Sequence, residues 1–236
     1  MHGYAGVDSY FGVVDYFWDV VPTLERAGFV AFTPVSTAIA TSQRRAGELA
    51  PQLEAILEES GAERVNLIAH SQGGLDGRVL VSAMGWHDRV ASLTTVATPH
   101  RGIGLTLADF VSVQDFSVEY MEDEFNPEHP DHPDVAYFSW SARACRLSQT
   151  RCRDETNNAV VDALLIASHL ALTNQMGDND GIVPTDSMPW GDHLGQLHAD
   201  HFGEVGHLFK RDNPNAPFVH RAFYLSEARR LKAAGF

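Results

Sequence analysis

The stretch Val65-Asn66-Leu67-Ile68-Ala69-His70-Ser71-Gln72-Gly73-Gly74 decides the fold. An apolar run of strand length ends on a serine set between small residues, and a helix-compatible segment begins at Leu75. This is the form of a sharp strand-turn-helix bend that lifts one side chain above a sheet. The backbone at such a bend is strained, so the positions two before and two after the serine must be small. Ala69 and Gly73 meet that demand. Small residues around a serine are common by themselves. The apolar strand before it, His70 and Gln72 inside it and Gly74 behind it make the pattern specific.

Outward from this bend the chain alternates helical and extended patterns. Over residues 17–27, Trp18, Val21 and Leu24 share a helix face and Gly28 ends it. Phe29-Val30-Ala31-Phe32-Thr33 reads as a short buried strand. A second helix runs to Ser60 with Leu49, Leu53, Ile56 and Leu57 on one side, and Pro51 should kink it or mark a fresh first turn. After the bend comes a helix to about Gly85, then strands over residues 92–97 and 135–140. Residues 162–172 and 218–234 read as helices. Such alternation argues a mostly parallel central sheet flanked by helices.

Composition bounds the rest. The 236 residues suit one α/β domain spanning the chain, large enough to bury a substantial core. With 31 acidic against 17 basic residues the formal net charge is −14, which repels nucleic acid and anionic lipid while leaving neutral substrates unopposed. The best candidate for a membrane span, residues 160–172, is broken by Asp162, Ser168 and His169. The one biased segment, residues 122–134, is rich in acids, Pro and His; His129 and His132 resemble metal ligands in type only and read as an exposed loop.

A serine hydroxyl is a poor nucleophile until an imidazole takes its proton and a carboxylate holds that imidazole in the right tautomer. With a serine on such a bend, the acid and then the histidine follow later in the chain. Gly177-Asp178-Asn179-Asp180-Gly181 is an acidic polar turn, and His201 follows in His198-Ala199-Asp200-His201-Phe202-Gly203. Asp180, directly before Gly181, is preferred to Asp178, with Asp186 also eligible. His193, His198 and His207 rival His201 on spacing alone.

Several blocks in order carry a resemblance: His2-Gly3 with Asp15-Tyr16, the bend itself, Ala97-Thr98-Pro99-His100-Arg101-Gly102, Tyr137-Phe138-Ser139-Trp140-Ser141, Asn179-Asp180-Gly181-Ile182-Val183 and His201-Phe202-Gly203-Glu204-Val205. Nearly end to end, the chain resembles the secreted bacterial triacylglycerol lipases of the Pseudomonas, Burkholderia and Proteus type, within the α/β-hydrolase superfamily. The resemblance implies an α/β-hydrolase fold and a serine carboxylic ester hydrolase, foremost a lipase, acting on neutral lipid or other esters outside the cell. It makes Ser71 the nucleophile, Asp180 the triad acid and His201 the base. The backbone N–H groups of Tyr4 and Gln72 would form the oxyanion hole. The alternatives are a carboxylesterase or polyester hydrolase preferring short or soluble esters, and an inactive scaffold that binds without catalysis.

The chain departs from that family in four places. A strand leads into the His-Gly pair there, whereas here Met1 directly precedes His2. The expectation is a longer natural N-terminus with an export signal, unless residues 29–33 close the gap. The family's calcium is held by two aspartates, one before the catalytic acid and one two residues after the histidine. Asp162 stands at the first position but Gly203 at the second, with Glu204 beside it, so no metal or other cofactor is expected to be required. The family's disulfide would pair Cys145 with a position that is Asp186 here; Cys145 and Cys152 form either a short loop or two free thiols. Finally, residues 103–136 are short for a lid, leaving Leu105, Leu107, Phe110, Val111 and Val113 as a reduced apolar flap.

Overall fold

A computed structural model describes residues 1–3, 9–10, 14–104, 115–145, 161–206 and 218–236, with residues 9–10 and 14–15 as backbone. Tyr4, the five apolar flap residues, Cys152 and His207 lie outside the described residues.

Strand β3 (Val65–His70) alternates its side chains between two apolar layers, as the pleat requires. Leu67 and Ala69 join Leu49, Leu53, Leu75 and Leu80 from helices α2 (Ser42–Ser60) and α3 (Gln72–Ser82). Ile68 faces the other way, towards Val20 and Leu24 of α1 (Val20–Arg26) and Tyr224 of the helix His220–Ala233. Beside β3 lie β4 (Val90–Val96), β5 (Ala136–Ala142) and β6 (Asp192–Leu197), in the order β3-β4-β5-β6 and all parallel. A separate antiparallel pair joins β1 (Ser9–Tyr10) and β2 (Val14–Asp15). The strand at Val65 and the strands after the bend fall where the sequence pattern put them, within about two residues. β6 escaped notice because Asp192-His193-Leu194-Gly195-Gln196-Leu197 has little apolar content; it is an edge strand, whose outer face need not be apolar.

Three expectations are corrected. Residues 29–33 form no strand. A groove of about 500 Å3 lies between them and β3, lined by Phe29, Phe32, Val20, Leu24 and residues 65–68. Among the described residues no strand pairs with β3 on that side, so this apolar run joins no ladder. Helix α2 continues through Pro51, so Pro51 does not mark a fresh first turn. Pro51 and Gly47 are exposed, so the carbonyl that Pro51 cannot serve faces water. Residues 118–128 are not loop but helical turns, Val118–Tyr120, a π turn Met121–Phe125 and Asn126–Glu128. Met121 and Phe125 are fully buried in the same core cluster as α3, with Arg78 of α3 over the Phe125 ring, so this part of the segment expected to act as a flap is core. His129 is buried too, its Nδ1 2.9 Å from Ser82 Oγ, and not part of an exposed loop.

Candidate active site

Ser71 stands between β3 and α3 with φ 55° and ψ −134°, backbone strained for a residue with a Cβ. Its own amide donates to Val96 O at 2.9 Å, and Thr98 Oγ1 donates to its carbonyl at 2.7 Å. Those bonds tie the turn to the end of β4. Residues 1–3 cross directly over it. A Cβ on Gly3 would sit 2.5 Å from Ser71 Cβ, and one on Gly73 would sit 2.7 Å from His2 O. The two glycines therefore permit a close crossing of backbones.

His201 Nε2 lies 3.1 Å from Ser71 Oγ, and His201 Nδ1 lies 2.7 Å from Asp180 Oδ2. All three residues are buried. Asp180 is held by its other oxygen, Oδ1, which accepts the amides of Ile182 at 2.8 Å and Val183 at 2.7 Å. Its backbone carbonyl accepts the His201 amide at 2.9 Å. Asn179 braces the same turn: Oδ1 accepts from Gly181 N, and Nδ2 donates to Gly177 O and Thr173 Oγ1. The acid is thus fixed by local bonds that the Asn-Asp-Gly-Ile run encodes.

A second buried chain approaches the same imidazole. Gly3 N–H donates to Tyr16 Oη at 3.0 Å, Tyr16 Oη lies 2.7 Å from His70 Nδ1, and His70 Nε2 lies 2.7 Å from Glu204 Oε2. These bonds fit the tyrosine hydroxyl donating to His70 Nδ1 and the His70 Nε2–H donating to Glu204 Oε2. Glu204 Oε2 is then 3.8 Å from His201 Nδ1, a second carboxylate near the ring. His70, His201 and Glu204 are also the one trio of donor side chains among the described residues close enough to hold a metal ion, within 4.8 Å of one another. They are occupied in bonding each other and the triad.

Opposite, Arg45 and Asp76 form a fully buried ion pair at 2.7 Å. Asp76 belongs to α3, and Arg45 also donates to His2 O at 2.7 Å and Thr37 O at 2.9 Å. One guanidinium therefore joins the helix behind Ser71 to the backbone crossing over it. Burial raises Asp76 to about 6, with Arg45 pulling the other way. Burial, and next the Arg45 charge, lower His2 to about 4, leaving its Nε2 free to accept the Ser36 amide at 3.1 Å.

Of the expected residues, Ser71, Asp180 and His201 come together. Gln72 is the first residue of α3, where backbone amides lack helical partners. Tyr4 lies outside the described residues. The rivals go elsewhere: His193 meets Ser139 Oγ at 3.3 Å, Asp178 pairs with Arg143 at 3.2 Å, and Asp186 is exposed. Cys145 is disulfide-bonded, so the two-free-thiol alternative is set aside. Glu204, entertained beside a calcium ion, instead binds His70. Sequence reasoning missed Arg45, Asp76 and the Tyr16–His70 contact, since partners 31 and 54 residues apart leave no periodic signal.

Comparison with known proteins agrees with this architecture. Triacylglycerol lipase of Pseudarthrobacter phenanthrenivorans is 36% identical over 114 residues, covering 47% of this chain and 34% of the relative. The chain thus spans about a third of the length of that relative, and similarly 31% of the lipase of Burkholderia plantarii. Triacylglycerol lipase of Pseudomonas fragi aligns over all of this chain and 95% of its own length at 26% identity. In fold, Staphylococcus hyicus lipase matches with a TM-score of 0.69 over 98% of this chain and 93% of its own, at 16% identity. Bacillus licheniformis lipase BlEst2 in mature form matches at 0.66 over 87% and 84%, at 20% identity. The model of the alpha/beta hydrolase fold matches residues 1–173, and the chain belongs to that family.

Proposed function

We propose that this chain is a serine carboxylic ester hydrolase of the triacylglycerol lipase kind, secreted and acting on neutral lipid. The observation that carries the reading is the buried line Ser71 Oγ, His201 and Asp180, with separations of 3.1 and 2.7 Å. In this mechanism Ser71 Oγ attacks the ester carbonyl while its proton passes to His201 Nε2. Asp180 stays ionised, holds Nδ1–H and stabilises the imidazolium. The oxyanion that forms is met by the Gln72 amide and by the amide of Tyr4, each donor of this kind contributing about 3 kcal/mol. The imidazolium then protonates the departing alcohol. Water attacks the acyl-enzyme with His201 again as base, releasing the carboxylate and restoring Ser71.

Three things support the choice of substrate and place: the similarity to triacylglycerol lipases, a net charge of −14 that disfavours anionic substrates, and a disulfide at Cys145. Disulfides persist in oxidising surroundings, which suits an exported enzyme. No helix among the described residues is long and apolar enough to cross a membrane. A serine-directed phosphonate should label Ser71 and abolish activity, and Ser71→Ala should remain unlabelled. Emulsified long-chain triglyceride should be turned over at least as well as short nitrophenyl esters. A strong preference for the short esters removes the lipase assignment, and an unlabelled folded protein removes the hydrolase one.

A further inference from the structure

The imidazole of His201 is carried by a loop bonded directly to Asp180, and a second tie, to the residue 162 segment, runs through Asp200. Its Oδ2 accepts the amide of Asp162 at 2.8 Å, and its Oδ1 accepts the amide of Gly203 at 2.7 Å. Asp200 is buried, and its own carbonyl accepts the Glu204 amide at 3.1 Å. The Gly203 bond caps the turn Gly203–Val205 just after His201. The Asp162 bond reaches the segment leading into the helix Ile166–Met176. That segment meets the acid loop twice. His169 Nδ1 lies 2.8 Å from Asn179 Oδ1, and Leu165 packs so closely on Gly181 that a Cβ there would be 3.0 Å away.

Calcium would join the same two segments in the lipases that this chain resembles, but the residues here do not fit it. Gly203 supplies no carboxylate, and Asp162 Oδ1 already accepts the Leu164 amide at 3.0 Å. The amides of Asp162 and Gly203 point at the Asp200 carboxylate, so a cation bound there would face N–H donors and strand both. Calcium seeks six to eight oxygens. Among the described residues, the donor trio that could hold an ion includes neither Asp162 nor Asp200.

We propose that Asp200 is a positioning residue for His201, a carboxylate staple between the residue 162 segment and the histidine loop that takes the place of a metal cross-link. The proposal rests on the hydrolase reading for its kinetic arm only; its thermal arm stands without it.

The experiment compares wild type, Asp200→Ala and Asp200→Asn, each in EDTA and in 10 mM calcium chloride (about a hundredfold above the weakest extracellular protein sites at their tight end). Melting temperature and nitrophenyl ester kinetics, the latter well below each variant's melting point, are the readouts. Wild type should melt at the same temperature and turn over at the same rate in both buffers. Asp200→Ala should lose roughly 10²-fold in kcat with KM little changed, as expected when a reacting group is displaced by about an ångström. Asp200→Asn, which keeps one acceptor, should recover part of that loss. A merely structural residue would lower the melting temperature and leave kcat intact, and that result overturns the proposal. So does a rise in wild-type melting temperature with calcium. If Asp200→Ala does not fold, Asp200→Asn and the wild-type calcium titration still decide. Wild type inactive in both buffers would sink the proposed function, while the calcium comparison would still read out.

Discussion

Along one edge of β3, residues 65–70 pair in order with β4; along the other, the backbone bonds among the described residues are those of Met1 to Ile68 O and from the His70 amide. The two edges belong to the same six residues, so propensity does not separate them. What lies opposite does. Near Ser71 the crossing backbone of residues 1–3 is gripped by Arg45 and Tyr16, and the His2 side chain accepts the Ser36 amide, all through buried polar bonds. Towards Val65 the strand borders an apolar groove whose far wall includes Val30, 76% exposed. Chemistry sits where the backbone is fixed from several sides. Among the described residues, no strand fills the apolar lane beside it.

That contrast is broken most forcefully at the ion pair. Arg45→Met should destabilise the protein by about 3–5 kcal/mol, because it leaves the Asp76 carboxylate buried without its partner. The double variant Arg45→Met with Asp76→Leu should regain most of that loss, since both charges leave together. Urea denaturation measures both. If the single variant costs less than the double, the pair is not what holds the serine end of the sheet.

Next in size is Gly3→Ala. The new methyl would press on Ser71 Cβ and on Tyr16 Oη, 2.5 and 2.8 Å away, so the crossing must shift. Displacement on that scale should lower kcat on the order of 10²-fold while KM changes little. Val30→Ser, on the groove wall, should leave kcat unchanged and stability within about 0.5 kcal/mol. Steady-state ester hydrolysis of the two variants reads the comparison directly. Equal losses would mean that the edge and the site are mechanically one.

How much of this was legible beforehand follows the range of the interactions. The bend at Ser71 and the Asn179-Asp180-Gly181 turn are built from neighbours in sequence, so residue types and order sufficed to find both; chain order left His193, His198 and His207 beside His201, and the resemblance of the His201-Phe202-Gly203-Glu204-Val205 block chose among them. The failure at residues 29–33 was one of context, because Phe29-Val30-Ala31-Phe32 is a good strand sequence, and residue types do not say whether a strand lies opposite; among the described residues none pairs with it. Residues 121–125 misled in the opposite sense. Met121-Glu122-Asp123-Glu124-Phe125 looks solvated, yet its two apolar residues are four apart and bury on one face. Arg45, Asp76 and His70 were invisible for a third reason, since a buried polar bond leaves its mark only in three dimensions.

The gentlest perturbation is acid; burial lowers the Met1 amine, His100, His129 and His220 as well as His2, so the His2 share is the difference between wild type and a His2 variant. His2 is held to about 4 in the folded chain against 6.5 for a free histidine, mainly by burial. As pH falls below 6.5 the unfolded chain takes up that proton while the folded chain does not. The His2 contribution to stability is therefore full above 6.5, declines as pH falls, and stops declining below about 4, where both states are protonated. Between pH 6.5 and 5 the loss should be about 2 kcal/mol from this group. Asp76 opposes it in the lower part of that window: raised to about 6 from 3.8, it binds a proton in the folded chain first and so adds stability as pH falls. His2→Asn keeps an acceptor facing Ser36 but cannot be protonated. Denaturation midpoints from pH 8 to 4 should fall less steeply in that variant, or even rise through the Asp76 range. Identical slopes in the two proteins would show that His2 is not the group through which acid loosens the backbone over Ser71.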